Sequence, residues 1–170
     1  IERLLEAAQQ AAVAVPAVER RRAEDEAEVR APQPLEAEAQ LALERAGVIA
    51  TLKHFIANVG EGGRDSYPIE LSDRALEELF YPPFEVAIHG AGARSVMMAY
   101  NSVDGTPATQ SRRLITGKLK GDWGFTGFVI SDAAATGGAT VLHHTEASTA
   151  TAAKDALDAG LDVIFQSSWP

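Results

Sequence analysis

The chain has 170 residues, 46% of them apolar and 23% charged, with a formal net charge of −9. That size allows one domain with its own core, but it is short of the roughly 250 residues of a closed eight-stranded α/β barrel. The acidic balance argues against a nucleic-acid footprint, no apolar run approaches the roughly 18 residues that span a bilayer, and the absence of cysteine excludes a disulfide frame or a thiolate metal site.

Residues 1–46 differ from the rest. "IERLLEAAQQAAVAVPAVERRRAEDEAEVR" is rich in Ala and Glu, lacks glycine and is interrupted at Pro16, which predicts two helical pieces. Its first ten residues do not show the basic-then-apolar order of a secretory signal. Pro32 and Pro34 then break the chain, a helix of about ten residues follows, and Gly47 is its expected stop.

From Gly47 the pattern becomes strand, loop, helix. "VIATL" (48–52) is a continuous apolar run, as a parallel strand buried on both faces requires. "SDRALEELFYPPFEVAI" predicts a helix capped by Ser72 or Asp73 and broken at Pro82-Pro83. "SVMMAY" (95–100) is the second strand, "SRRLITGKLKGDWG" carries a helix to about Lys120, and "GFVIS" is the third strand. "TEASTATAAKDALDAG" predicts the next helix and "LDVIF" (161–165) a fourth strand. Strands alternating with helices at this spacing imply right-handed crossovers and a parallel sheet. The predicted class is α/β, a partial TIM-type (β/α) barrel of about four parallel strands over 47–170, preceded by the helical segment 1–46. No GxGxxG or Walker loop follows any strand, and "GEGGRD" (60–65) reads as a turn rather than a phosphate cradle.

Polar residues stand directly after the strands: Lys53 and His54 after the first, Tyr100 and Asn101 after the second, Asp132 after the third. In parallel α/β folds the carboxyl ends of the strands share one rim, where ligands bind. Singly, each has a plainer explanation, since a strand-ending Asp often caps a turn and a lone His is commonly a rim residue. His143 and His144 read as loop residues without the further ligands a metal would need, and Trp123 and Phe125 as packing between helix and strand.

"GVIATLKHFIAN", "GGRD", "PPFEVAI", "SVMMAYNSVDGTPA" and "WGFTGFVISD" together resemble glycoside hydrolase family 3, the β-glucosidase and β-xylosidase group, in collinear order over roughly 47–168. The resemblance implies a partial N-terminal TIM-barrel domain and retaining hydrolysis of β-linked glucosides or xylosides. The aspartate of the Ser-Asp pair, here Asp132, would be the nucleophile that forms a glycosyl-enzyme ester. By the same resemblance Lys53 and His54 would grip sugar hydroxyls, Tyr100 would donate to the nucleophile, and Met97 would pack in the same wall. The small residues after Asp132 would leave room for a sugar ring. The N-acetylglucosaminidase branch fits less well: "KHFIANVGEGGRDSY" lacks that branch's loop histidine and has Tyr67 in place of another.

Three departures set the expectations apart from the family pattern. The acid/base glutamate of the glucosidase branch would belong to a following domain, with Glu61 a conceivable substitute and a solvated loop acid its plainer explanation. The family's early aspartate and arginine have no match in 1–46, and Arg64 reads equally as the partner of Asp65 or Glu61. The position after the nucleophile, often aromatic in the family, is Ala133. Two functions therefore stand side by side: a β-glycosidase, or a truncated or rebuilt barrel piece that keeps sugar-site residues with little or no hydrolysis and serves in binding or as a scaffold. The expected partner is a carbohydrate, with no nucleic acid, no membrane, no metal and no cofactor. A second copy of the chain or a further C-terminal domain would complete the site, and the N-terminal helices or that second copy would cover the open barrel face.

Overall fold

A computed structural model describes residues 34–60 and 63–166. The two helical pieces expected within 1–30, and Glu61, lie outside the described residues. Helix α1 (Pro34–Arg45) ends where expected. Gly47 takes φ +82°, Val48 N–H donates to the Leu43 carbonyl at 3.0 Å, and these turn the chain out of the helix in the left-handed stop that glycine permits.

Three parallel strands follow: β1 (Thr51–Phe55), β3 (Ser95–Met98) and β6 (Phe128–Ile130), in the order β1-β3-β6. Val163 adds a parallel bridge to Ile130 on the far side of β6, so each strand lies beside the next one along the chain. This is the arrangement of a partial barrel.

Two strand boundaries differ from the sequence reading. The first strand is 51–55 rather than 48–52: Val48 and Ile49 are 40% and 45% exposed, and their apolar character reflects no sheet position. The fourth strand contracts to the single bridge at Val163, because the Asp162 side chain turns back to accept from Val129 N–H at 2.8 Å and Phe165 N–H goes to a hydroxyl instead of a ladder carbonyl.

One face of the sheet carries Leu52, Val96, Met98 and Val129 against the helices, where Leu114, Ile115, Leu119 and Ala156 complete a dry core. Trp123 meets Phe55 and Tyr81 edge-on in the same core, those two rings stack on each other, and Phe125 is buried there too, so both aromatics of the "WGF" run pack as expected. Burying each such side chain contributes about 1.5–3 kcal/mol.

After β1, Ser72 caps α2 (Asp73–Ala75) by accepting from Ala75 N–H at 3.2 Å. A π-helical stretch, Leu76–Phe80, then leads into α3 (Tyr81–Ala91). Pro82-Pro83 therefore does not break the helix: the prolines occupy the first turn of α3, where a missing backbone donor costs little.

A second wide helix, Arg113–Asp122, connects β3 to β6. Helix α4 (Ala135–Val141) was not predicted, since two glycines lie in it. Helix α5 (Thr149–Asp158) is held by a reciprocal cap between Ser148 and Thr151. A small sheet of β2 (Pro68–Ile69), β4 (Ser102–Val103) and β5 (Thr106–Pro107) ties the loops after β1 and β3 together. Asp104 and Gly105, both at positive φ, form its two-residue turn. Among the described residues no helix is long and apolar enough to cross a membrane.

Candidate active site

The third strand delivers Asp132. Val129 and Ser131 are fully buried, and they fix the strand so that Asp132 emerges at its carboxyl end with a side chain 14% exposed. Its Oδ1 accepts from Ala133 N–H at 2.7 Å. Ala134 then takes φ +59° and donates its N–H to the Phe165 carbonyl at 3.0 Å, bending the chain into α4. The small residues of this segment, Ala135 through Ala139, are buried as the first turns of that helix.

The first strand delivers His54, whose Nε2 lies 2.9 Å from Asp132 Oδ2. The Lys53–His54 and Phe55–Ile56 peptides are cis, and the pairing register with β3 shifts between Leu52 and Phe55. Burial holds the imidazole below its ordinary pKa, with Lys53 and Arg64 acting in the same direction and the Asp132 charge opposing them. Near neutral pH the ring is thus neutral and its Nε2–H donates to the carboxylate.

The second strand delivers Tyr100. Its hydroxyl donates to the Ala133 carbonyl at 2.6 Å and also faces the Asp132 carboxylate. Burial, and then the Asp132 charge, push the phenol pKa up, which keeps it a donor. The fully buried Asn101 sends Nδ2–H to the Ile56 carbonyl at 3.3 Å, tying the ends of β1 and β3 together.

Asp132, His54 and Tyr100 therefore converge from three strands. Lys53 is exposed and makes no ion pair with Asp132; it reaches the pair through its field on His54. Met97 sits one layer below the rim, half-buried, in register with Ile130 and on the face opposite Val96 and Met98. Arg64 lies 3.8 Å from Asp65 in an exposed loop pair.

His143, read from sequence as a loop residue, belongs to the site's frame: its Nε2 lies 2.7 Å from the Tyr100 carbonyl. Nothing in the adjacent histidines of the sequence signals that contact, because it joins the end of α4 to the end of β3. A cleft of about 480 Å³ opens beside His54, on the helix side of β1, between Gln40 of α1 and Phe80 and Phe84.

The sequence pattern of the glycosyl hydrolase family 3 N-terminal domain matches residues 33–169. Beta-glucosidase B of Emericella nidulans is 41% identical over 117 residues, 69% of this chain and 12% of that protein. Among solved structures, beta-glucosidase 3B of Thermotoga neapolitana superposes with a TM-score of 0.64 at 32% identity, over 76% of this chain and 16% of that one. A family 3 exo-beta-xylosidase in complex with a xylobiose aziridine probe superposes with a TM-score of 0.69 at 25% identity, over 76% of this chain and 19% of that one. The chain thus spans under a fifth of the length of each of these relatives.

Proposed function

The chain belongs to glycosyl hydrolase family 3, and we propose that it carries the nucleophile half of a retaining β-glycosidase site for β-linked glucosides or xylosides. Asp132 attacks the anomeric carbon, the glycosidic C–O bond breaks, and a glycosyl-aspartate ester forms that water later hydrolyses. Lys53 and His54 hold hydroxyls of the bound sugar, Tyr100 keeps the Asp132 carboxylate in its attacking orientation, and Met97 packs the wall beneath. The single observation that carries this reading is the 2.9 Å approach of His54 Nε2 to Asp132 Oδ2 from β1 and β6, the two strands that flank β3, with Tyr100 facing the same carboxylate.

The reading divides the chain into a helical segment, 1–46, and a partial barrel, 47–170. The acid/base comes from a following domain or from a second copy of the chain. Asp65 is a described carboxylate, besides Asp132, whose charge reaches both His54 and Tyr100, but it sits 47% exposed in a loop beside Arg64. That exposure favours a second reading, in which the chain binds sugar with little or no hydrolysis.

An activated aryl β-glucoside or β-xyloside needs little acid assistance to its leaving group and separates the two. The expected result is a burst of phenol that disappears in Asp132→Asn. Turnover restored by azide or formate identifies the acid/base as the missing element. A folded chain that gives no burst at any pH overturns the hydrolytic reading in favour of binding alone.

A further inference from the structure

Tyr100 follows the end of β3 at Met98, and its two ends are gripped by one stretch of chain. Its carbonyl lies 2.7 Å from His143 Nε2, and its hydroxyl donates to the Ala133 carbonyl at 2.6 Å. A carbonyl only accepts, so the imidazole carries its hydrogen on Nε2 and donates it here. Ala133 and His143 stand at the two ends of the run that leaves Asp132 and forms α4. The residues beside Tyr100 are tied the other way, to the end of β1. Ala99 N–H donates to the Phe55 carbonyl at 2.7 Å, and Asn101 Nδ2–H to the Ile56 carbonyl at 3.3 Å.

His143 is itself firmly placed. Its N–H donates to the Gly138 carbonyl at 3.0 Å, and Thr145 N–H returns to the Ala139 carbonyl at 2.9 Å, which closes the end of α4. The buried face of that helix, Ala135 through Ala139, resists sliding because a packed interior leaves little free space. At the other end of the clasp, the Tyr100 hydroxyl has one hydrogen for two acceptors, the Ala133 carbonyl and the Asp132 carboxylate it faces. The position of the phenol therefore sets how much of that donation the carboxylate receives.

We propose that His143 is a positioning residue for attack by Asp132: its Nε2–H, delivered from the end of α4, fixes the Tyr100 backbone so that the phenol stands against the carboxylate. The imidazole exchanges no proton in the reaction and acts only through Tyr100. The proposal rests on the reading of Asp132 as nucleophile and adds the group that keeps its phenol partner in place.

The test is the phenol burst from an activated aryl β-glucoside, followed by stopped flow in the whole 170-residue chain. His143→Leu should slow the burst by about fivefold to tenfold, the scale of one lost orienting contact, at an unchanged half-saturating glucoside concentration. His143→Gln, whose side-chain amide N–H can take the place of Nε2–H, should recover most of the wild-type rate. His143→Asn is too short to reach the carbonyl and should match His143→Leu. It covers the case in which the Leu variant fails to fold by circular dichroism. In a Tyr100→Phe background His143→Leu should cause no further slowing, because no hydroxyl is left to position.

An unchanged burst rate in His143→Leu overturns the proposal, as does a loss confined to the half-saturating concentration. Equal losses in the Leu and Gln variants, or losses that multiply in the double variant, show packing alone and overturn it too. NMR titration of the Tyr100 phenol, through a labelled ring carbon, reads the clasp without turnover. Its midpoint, raised in the wild type by burial and by the Asp132 charge, should fall toward the ordinary value in His143→Leu and hold in His143→Gln. A folded wild type that gives no burst overturns the reading of Asp132, and the titration then decides the clasp by itself. A midpoint that His143→Leu does not move overturns the clasp, whether or not a burst is seen.

Discussion

His54 Nε2 lies 2.9 Å from Asp132 Oδ2, yet the imidazole is held below its ordinary pKa rather than above it. Burial takes water from the imidazolium, Lys53 and Arg64 add repulsion, and the attraction of Asp132 does not offset the sum. The pair is therefore a neutral N–H donating to a carboxylate, not two full charges. Such a donor fixes the direction of Asp132 while leaving its negative charge uncancelled, as a nucleophile requires.

An NMR pH titration of the His54 ring should give a midpoint below 6.5. Asp132→Asn should lower it further, since the charge that raises it is gone, and Lys53→Gln should raise it. Because the folded-state value lies below the unfolded one, the unfolded chain takes the proton more readily. The contribution of His54 to stability is then complete above about pH 6.5 and is lost as pH falls through the folded value. Chemical denaturation between pH 7.5 and 5 should show that decline, and His54→Gln should flatten it. A midpoint above 6.5 would establish a charged pair instead.

Tyr100→Phe removes the donor to the Ala133 carbonyl and the hydroxyl facing Asp132. Stability should fall by about 1 kcal/mol, the net worth of a partly buried hydrogen bond. The aryl-glycoside burst should slow by about tenfold, read by stopped flow, because the carboxylate loses one of the groups that orient it.

Ser131→Ala should cost about 1–2 kcal/mol in urea denaturation, since it leaves the Phe165 N–H without its acceptor. The same variant should raise amide exchange at Phe165 and Ala134 ahead of the rest of the sheet. Unchanged exchange at Phe165 and Ala134 would show that the hydroxyl rung does not hold these strands.

Gly127→Ala is expected to be the most damaging of the small substitutions. A methyl group there would overlap the Arg94 carbonyl and the Phe125 ring, and Arg94 contributes that same carbonyl to Phe128 N–H at 3.1 Å. The Arg94 backbone cannot withdraw and the Phe125 ring is buried, so a loss of about 3 kcal/mol is expected from overpacking. Thermal unfolding of Gly127→Ala against Gly124→Ala, whose surroundings are open but whose φ is +60°, separates overlap from backbone strain.

Asp132 and Tyr100 were legible because each follows an apolar run, Phe128–Ile130 and the strand that begins at Ser95, whereas Lys53 and His54, expected just after the first strand, lie within it. Sequence periodicity could not set the first boundary, since Val48 and Ile49 are as apolar as buried strand residues and yet are exposed. Pro82-Pro83 misled because the effect of a proline depends on which turn it occupies, and the π-helical stretch before α3 sets that turn. Helix α4 was invisible because Gly137 and Gly138 carry no helical preference; packing of small residues against the core overrides it. The Asp104-Gly105 hairpin, by contrast, had a readable signal in "SVDGTPA" that strand-and-helix alternation obscured.

The neighbour order of the sheet bears on how the chain can be assembled. Within the main sheet each parallel strand lies against the one that precedes it in that sheet, from β1 through β3 and β6 to the bridge at Val163. A nascent polypeptide leaving the ribosome can thus dock each new strand–helix unit on one already formed, with no later segment needed to thread between earlier ones. Asp132 is laid down last of the three converging side chains, onto a template where the histidine and the phenol already wait.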